Sequence, residues 1–197
     1  LAGHLDEIPE PGCCRLWDLA GPPVVITHGD DGRIKAFHNV CRHRGAPVVV
    51  DEFSKKSRLT CAYHGWSYNL DGELVAIRNP EDFRDFDYAC HGLTEIRCER
   101  FGKLVFVNFD QGAITLTDWL GPIAAQWVEF QFDRCRLAAR HVFDVNSNWK
   151  IAMEANAEVY HVRTVHPKTV APMLDDRRNV NTLYPNGHGR MVAPGRA

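Results

Sequence analysis

Two short ligand pairs constrain this chain more than any other feature of its 197 residues. Cys41-Arg42-His43 and Cys61-Ala62-Tyr63-His64 each place one thiol and one imidazole in a single tight loop, with residues 44–60 between them. A fold that uses them must bring two loops together over one metal group. A [2Fe–2S] cluster with mixed ligation makes that demand: one iron takes both sulfurs and the other takes both ring nitrogens. A structural zinc ion with two Cys and two His is the competing reading. Zinc ligands usually come as one Cys pair and one His pair, or as CxxC units. Here both loops run Cys first, as CxH and CxxH, and Gly45, Gly65 and Trp66 flank the ligands.

The stretch Cys41-Arg42-His43-Arg44-Gly45-Ala46, with Cys61-Ala62-Tyr63-His64-Gly65-Trp66, resembles the Rieske domain of bacterial ring-hydroxylating oxygenase alpha subunits. The usual second loop there is CPYHGW, so Ala62 stands in place of a proline, a change expected to loosen the loop without removing a ligand. The resemblance implies Cys41, His43, Cys61 and His64 as ligands of a Rieske [2Fe–2S] cluster. Respiratory Rieske proteins carry an extra Cys in each loop. Ala46 and Tyr63 occupy those positions here, which argues against that class.

The surrounding chain predicts short strands. Val24 to Thr27, a Gly29-Asp30-Asp31-Gly32 turn and Ile34 to Phe37 form a hairpin signal. Its second strand leads into Asn39-Val40-Cys41, so the first loop hangs from a strand end. Leu59-Thr60 enters the second loop, and Trp66 to Tyr68, a turn at Asn69 to Gly72, and Glu73 to Ala76 leave it as another hairpin. Leu104 to Phe109 reads as a buried strand. Residues 1–22, rich in Pro and Gly, read as an entry segment of turns. The composition changes after Gly112: Thr115 to Leu120 and Ile123 to Phe132 suit short helices, and Leu137 to Val145 a strand. The expected fold is α+β, with an all-β domain over 1–112 followed by the start of an α+β, helix-grip-like domain over 113–197.

A second constellation lies in that later part. Asn146, Ser147 or Asn148 can cap a helix over residues 149–161. Glu154, Glu158 and His161 then share one face at i, i+4, i+7. On a continuous helix His166 would fall about 140° away, so a break between His161 and His166, before Pro167, is needed for both to meet one ion. Two His with a carboxylate and open positions form the facial triad of non-haem Fe(II) oxygenases. A bare HxxxxH pair is weak evidence by itself.

Asn148-Trp149-Lys150 through His166-Pro167 resembles the catalytic-domain motif of Rieske non-haem iron oxygenases. The resemblance implies His161 and His166 as iron ligands and Glu158 as the acidic residue linking a neighbouring subunit's Rieske histidine to the iron. Many members have Asp there. Others, including oxygenases of quaternary ammonium compounds, have Glu. The third iron ligand in the family is a downstream carboxylate, expected beyond residue 197, and Asp175 and Asp176 read as a solvated loop. The implied activity is a terminal oxygenase that uses dioxygen to hydroxylate or demethylate an organic substrate, with aromatic hydrocarbon catabolism as the leading expectation. Its implied partners are a reductase, with or without a ferredoxin, and other subunits in a homo-oligomer (a trimer) or with a beta subunit. An electron carrier of Rieske ferredoxin type would leave the 148–167 segment unexplained.

Bulk properties remove other classes. A net charge of −2 without a basic run gives no nucleic-acid footprint. No apolar stretch approaches the roughly 18 residues of a membrane span, and the N-terminal residues lack signal-peptide character. Five further cysteines, Cys13, Cys14, Cys90, Cys98 and Cys135, are irregularly spaced. They read as reduced, buried thiols of a cytoplasmic protein.

Overall fold

The computed structural model describes residues 1–18 and 21–196. It divides into two compact units, one of residues 1–116 and 131–138, the other of residues 117–130 and 139–197.

The first unit is built on an antiparallel sheet of seven strands. In chain order they are β1 (Gly3–His4), β2 (Cys13–Trp17), β3 (Val24–His28), β4 (Ile34–His38), β5 (Phe53–Lys55) and, after a smaller sheet, β9 (Glu95–Phe101) and β10 (Leu104–Asn108). The spatial order is β1-β10-β9-β4-β3-β2-β5. The smaller sheet holds β6 (Leu59–Thr60), β7 (Ser67–Tyr68) and β8 (Leu74–Ala76). Strand β3 explains why the large sheet is stable. Alternate side chains of a strand point to opposite faces, and in β3 both faces are covered. Val25 joins a cluster with Phe37, Tyr68 and Leu74, while Val24 and Ile26 join another with Ala36, Ile96 and Val105. The first cluster also contains Cys41, Cys61 and Trp66, so the ligand loops grow directly from packed core.

The two sheets are tied by Thr27, whose Oγ1 donates to the Leu70 carbonyl at 2.8 Å. They are also tied by a close approach at Gly72. This residue has φ +81°, and a Cβ there would lie 2.8 Å from Phe37 Cδ1 and Cζ. Only glycine meets both conditions without strain.

Both predicted hairpins are present, β3–β4 and β7–β8. The entry segment differs from its sequence reading. It contains β1 and β2, and β2 pairs with both β3 and β5. The Pro9-to-Gly12 turn does not end structure; it aims Cys13–Trp17 back along β3, with Gly12 N–H donating to the His28 carbonyl at 2.9 Å. β10 is a strand as expected, but of its residues only Val105 is buried.

The second unit contains α2 (Pro122–Glu129), α3 (Trp149–Glu154), α4 (Val162–Val165) and the hairpin of β11 (Val180–Leu183) with β12 (Gly189–Val192). α1 (Leu116–Leu120) begins at the end of the first unit. The Trp119 carbonyl accepts from Asn186 Nδ2 at 2.8 Å and lies 2.8 Å from His188 Nε2. Residues 137–145 form no strand. Their apolar side chains stand exposed, Phe143 at 80%, and no neighbouring strand among the described residues supplies the ladder that extended backbone needs.

Candidate metal centres

The two ligand loops share one backbone design. In the first, Cys41 N–H donates to the Ala46 carbonyl at 2.8 Å and Gly45 N–H to the Cys41 carbonyl at 2.9 Å. In the second, Cys61 N–H donates to the Trp66 carbonyl and Gly65 N–H to the Cys61 carbonyl, both at 2.9 Å. Gly45 and Gly65 have φ of +78° and +77°, the left-handed conformation that closes each turn. The side chain of Ala62, which stands in place of the proline, is exposed.

The four predicted ligands are brought together in two layers. Cys41 and Cys61 are each 2% exposed, inside the core cluster. His43 and His64 lie nearer the surface, with ring centroids 4.6 Å apart and nearly perpendicular. Trp66 stacks on His43 at 4.9 Å, which fixes that ring. His64 Nδ1 is buried without a hydrogen-bond partner. A buried nitrogen lone pair is costly unless something accepts it, and a metal ion does so. Inner sulfurs, outer imidazoles and the orphaned nitrogen fit a [2Fe–2S] cluster with one thiolate iron and one imidazole iron. Burial pushes the Cys41 thiol up, and a hydrogen bond from Tyr68 offsets part of that rise. Burial, the His64 charge and Arg44 pull His43 down, which favours the neutral imidazole that binds metals.

Tyr68 is a site residue that the sequence reading took only as part of a strand. Its hydroxyl lies 3.3 Å from Cys41 Sγ and accepts the Arg42 N–H at 3.0 Å. Burial is the largest cause holding the phenol well above its ordinary value. The available signal was its place, buried in the strand that leaves the second loop.

The second constellation forms by a different route from the one expected. The helix over 149–161 stops at Glu154. Asn148 caps α3, accepting from Lys150 N–H at 2.9 Å. Beyond its end, Asn156 Nδ2 donates back to the Ala152 carbonyl at 2.8 Å, a side-chain bond that competes with helix continuation. The shared face of Glu154, Glu158 and His161 is therefore absent. The end expected between the two histidines is present: α4, with His161 at its N-cap, stops at Val165, and His166 leaves the helix with φ −121° and ψ 46°, just before Pro167. This single turn brings their rings to a centroid distance of 5.4 Å at 72°.

Glu158 is bound to this turn. Its carboxylate accepts from the backbone N–H of Tyr160 and, at 3.2 Å, of His161, and it bonds His161 Nδ1. The His161 bond is the largest cause holding the Glu158 carboxyl below its ordinary value. A carboxylate accepts only, so His161 Nδ1 carries the proton and Nε2 is left for a metal. Among the described residues no group of three or more His, Cys, Asp or Glu is gathered for a single ion, so the pair has no third ligand there. Asp176 is not a solvated loop residue: its side chain is 13% exposed and pairs with Arg163 and Arg196. Asp175 caps the following turn, accepting from Arg177 N–H at 3.2 Å. Glu154 lines an open groove of about 470 Å³ with Met153, Asn156, Leu183, Arg190 and Met191. Of the five other cysteines only Cys14 is buried. Cys13 and Cys98 are half-buried, and Cys90 and Cys135 are exposed.

Comparison with known proteins gives two domain matches. Residues 1–87 match the Rieske [2Fe-2S] domain, and residues 132–195 match the ring hydroxylating alpha subunit (catalytic domain). The glycine betaine monooxygenase oxygenase subunit of Pseudomonas aeruginosa is 32% identical over 175 residues, covering 89% of this chain and 41% of its own length. The structure of a quaternary ammonium Rieske monooxygenase in complex with L-carnitine superposes with a TM-score of 0.85 at 30% identity, covering 94% of this chain and 53% of its own. Naphthalene 1,2-dioxygenase with indole bound superposes with a TM-score of 0.76 at 33% identity, covering 84% and 38%. The chain thus spans about two fifths of the curated relative's length. No helix among the described residues is long and apolar enough to cross a membrane. A Rieske [2Fe-2S] domain and a ring hydroxylating alpha-subunit catalytic domain matched on one chain, in a fold shared with these enzymes, place it in the family of Rieske non-haem iron oxygenase alpha subunits.

Proposed function

We propose that the chain supplies the electron inlet and the iron-binding turn of a terminal oxygenase acting on a quaternary ammonium compound. The observation that carries this reading is the presence, on one chain, of the layered Cys41/Cys61 and His43/His64 set and of the His161/His166 pair held by Glu158. A [2Fe–2S] cluster on the first set supplies one-electron transfer, and Fe(II) on the second supplies dioxygen chemistry. The first unit's loops hold the sulfurs in core and leave the imidazoles near the surface, where an electron donor can approach. Glu158 fixes the His161 tautomer and orientation, the role that carboxylates play behind metal-binding histidines. It is also the residue assigned to link these ligands to a neighbouring subunit's Rieske histidine, which requires an oligomer. A reductase, with or without a ferredoxin, delivers the electrons, and a carboxylate beyond residue 197 completes the iron site. The Rieske domain is assigned to 1–112 and the catalytic domain to 113–197.

Two observations favour the quaternary ammonium class: the relatives named for glycine betaine and L-carnitine, and a glutamate at position 158, as in oxygenases of that class. Aromatic-ring hydroxylation is the second reading, supported by the likeness to naphthalene 1,2-dioxygenase. An electron carrier alone leaves the Glu158–His161 contact without a purpose. The test is turnover of the purified oxygenase with its electron-donor protein, NAD(P)H and dioxygen against glycine betaine, carnitine and naphthalene. Product from naphthalene alone would overturn the substrate class, and cluster reoxidation without product from any organic substrate would overturn the oxygenase reading. Glu158→Ala should leave the cluster spectrum intact and lower product formation about 10- to 100-fold.

A further inference from the structure

We infer that Asp176 is a positioning residue for the metal pair: through Arg163 its carboxylate fixes the helical turn that carries His161 and His166. The inference rests on the proposed reading of those histidines as iron ligands. A helix of one turn does not sustain itself, because nucleation fixes several residues for a single hydrogen bond. α4 must therefore be held from outside. Of its four residues only Val162 is buried. Glu158 grips the N-terminal side, and Asp176 grips the middle. Arg163 Nε donates to Asp176 Oδ1 at 2.8 Å and lies 2.7 Å from Oδ2.

Exposed ion pairs contribute little, but this carboxylate is set in a braced frame. Asp175 N–H donates to the Pro194 carbonyl at 2.8 Å, Leu174 bridges to Gly195, and Arg196 Nε donates to the Leu174 carbonyl at 2.8 Å. Arg196 Nη2 lies 3.5 Å from Asp176 Oδ1. The segment after the metal turn thus folds back to hold it. Among the described residues no hydrogen bond or ion pair joins Asp176 to either imidazole, so it acts through Arg163, whose position between the two histidines couples it to both.

The test is Co(II) binding to the chain with its cluster assembled, followed by the Co(II) ligand-field bands well below the melting temperature. His161→Ala is expected to abolish binding. Asp176→Asn is expected to weaken it about 10-fold, with the cluster's visible spectrum unchanged, and Asp176→Glu to recover most of that loss. Arg163→Gln should cost the same, and the double variant no more than either single one, as for two residues acting through one contact. Unchanged Co(II) affinity in Asp176→Asn, including a fall in melting temperature alone, overturns the inference, as do additive losses in the double variant. If His161→Ala binds Co(II) as well as the parent, the metal-pair reading itself fails, and this inference with it.

Discussion

Replacing Tyr68 by Phe tests the cluster site at one atom. The ring is fully buried among Phe37, Leu70 and Leu74, and Phe preserves that packing. What is lost is the hydroxyl 3.3 Å from Cys41 Sγ. Because this oxygen already accepts the Arg42 N–H at 3.0 Å, its proton is free to point at the sulfur. Such a bond favours the more electron-rich, reduced state. A net hydrogen bond contributes about 1 kcal/mol, and for a one-electron couple 1.4 kcal/mol corresponds to about 59 mV. The reduction potential should therefore fall, by up to about 40 mV if the whole bond is gained on reduction. Spectroelectrochemical titration of the assembled protein measures it, and the visible spectrum checks cluster loading. An unchanged or raised potential with full loading would refute the reasoning, because it would show that the hydroxyl does not bond the sulfur.

Gly72→Ala should destabilise the first unit by roughly 3 kcal/mol, from a left-handed backbone and overlap with the Phe37 ring, seen as a lowered denaturation midpoint. A shift under about 1 kcal/mol would mean that Phe37 moves aside freely. Alkylation of the native protein should rank the non-ligand thiols by burial and pKa. Cys135 should react fastest and Cys90 more slowly, since the Asp87 carboxylate raises its thiol. Cys14 and Cys98, pushed up to about 11 and about 12 by burial, should resist. Peptide mapping in which Cys98 matches Cys135 would contradict this order. The Arg163 hydrogen bond holds the Asp176 carboxyl below its ordinary value of 3.8. Its contribution to stability is thus complete above pH 3.8 and is lost as the pH falls through the depressed folded value. The melting-temperature gap between parent and Asp176→Asn should be present at pH 6 and close on acidification; a gap that persists at the acid limit counts against the ion pair.

The ligand loops were legible because their chemistry is local: residue types and spacing within each loop set the hairpin frame, and the β3–β4 and β7–β8 turns announce themselves with Gly and Asp. Strand β2 was hidden because Pro9, Pro11 and Gly12 read as a stop, whereas its identity depends on pairing with β3 and β5, both distant in sequence. The stretch at 137–145 shows the converse, with strand-like residues and no partner. At the iron motif the two histidines come together, but the long helix does not form. Summed propensity favoured one long helix, and two side-chain bonds, from Asn156 and to Glu158, overrode it. Tyr68 and Asp176 were invisible as site residues because their significance lies in atoms brought close by the fold, Cys41 in one case and Arg163 in the other.

The matching frames of the two cluster loops bear on how the protein is made. Each is closed by two main-chain bonds and a glycine, none of which involves a ligand side chain. The receptacle can therefore form before any iron arrives, and a cluster handed over late meets two thiols already buried in one core cluster. Protein produced without iron should then be folded, by circular dichroism, and should take up a cluster afterwards.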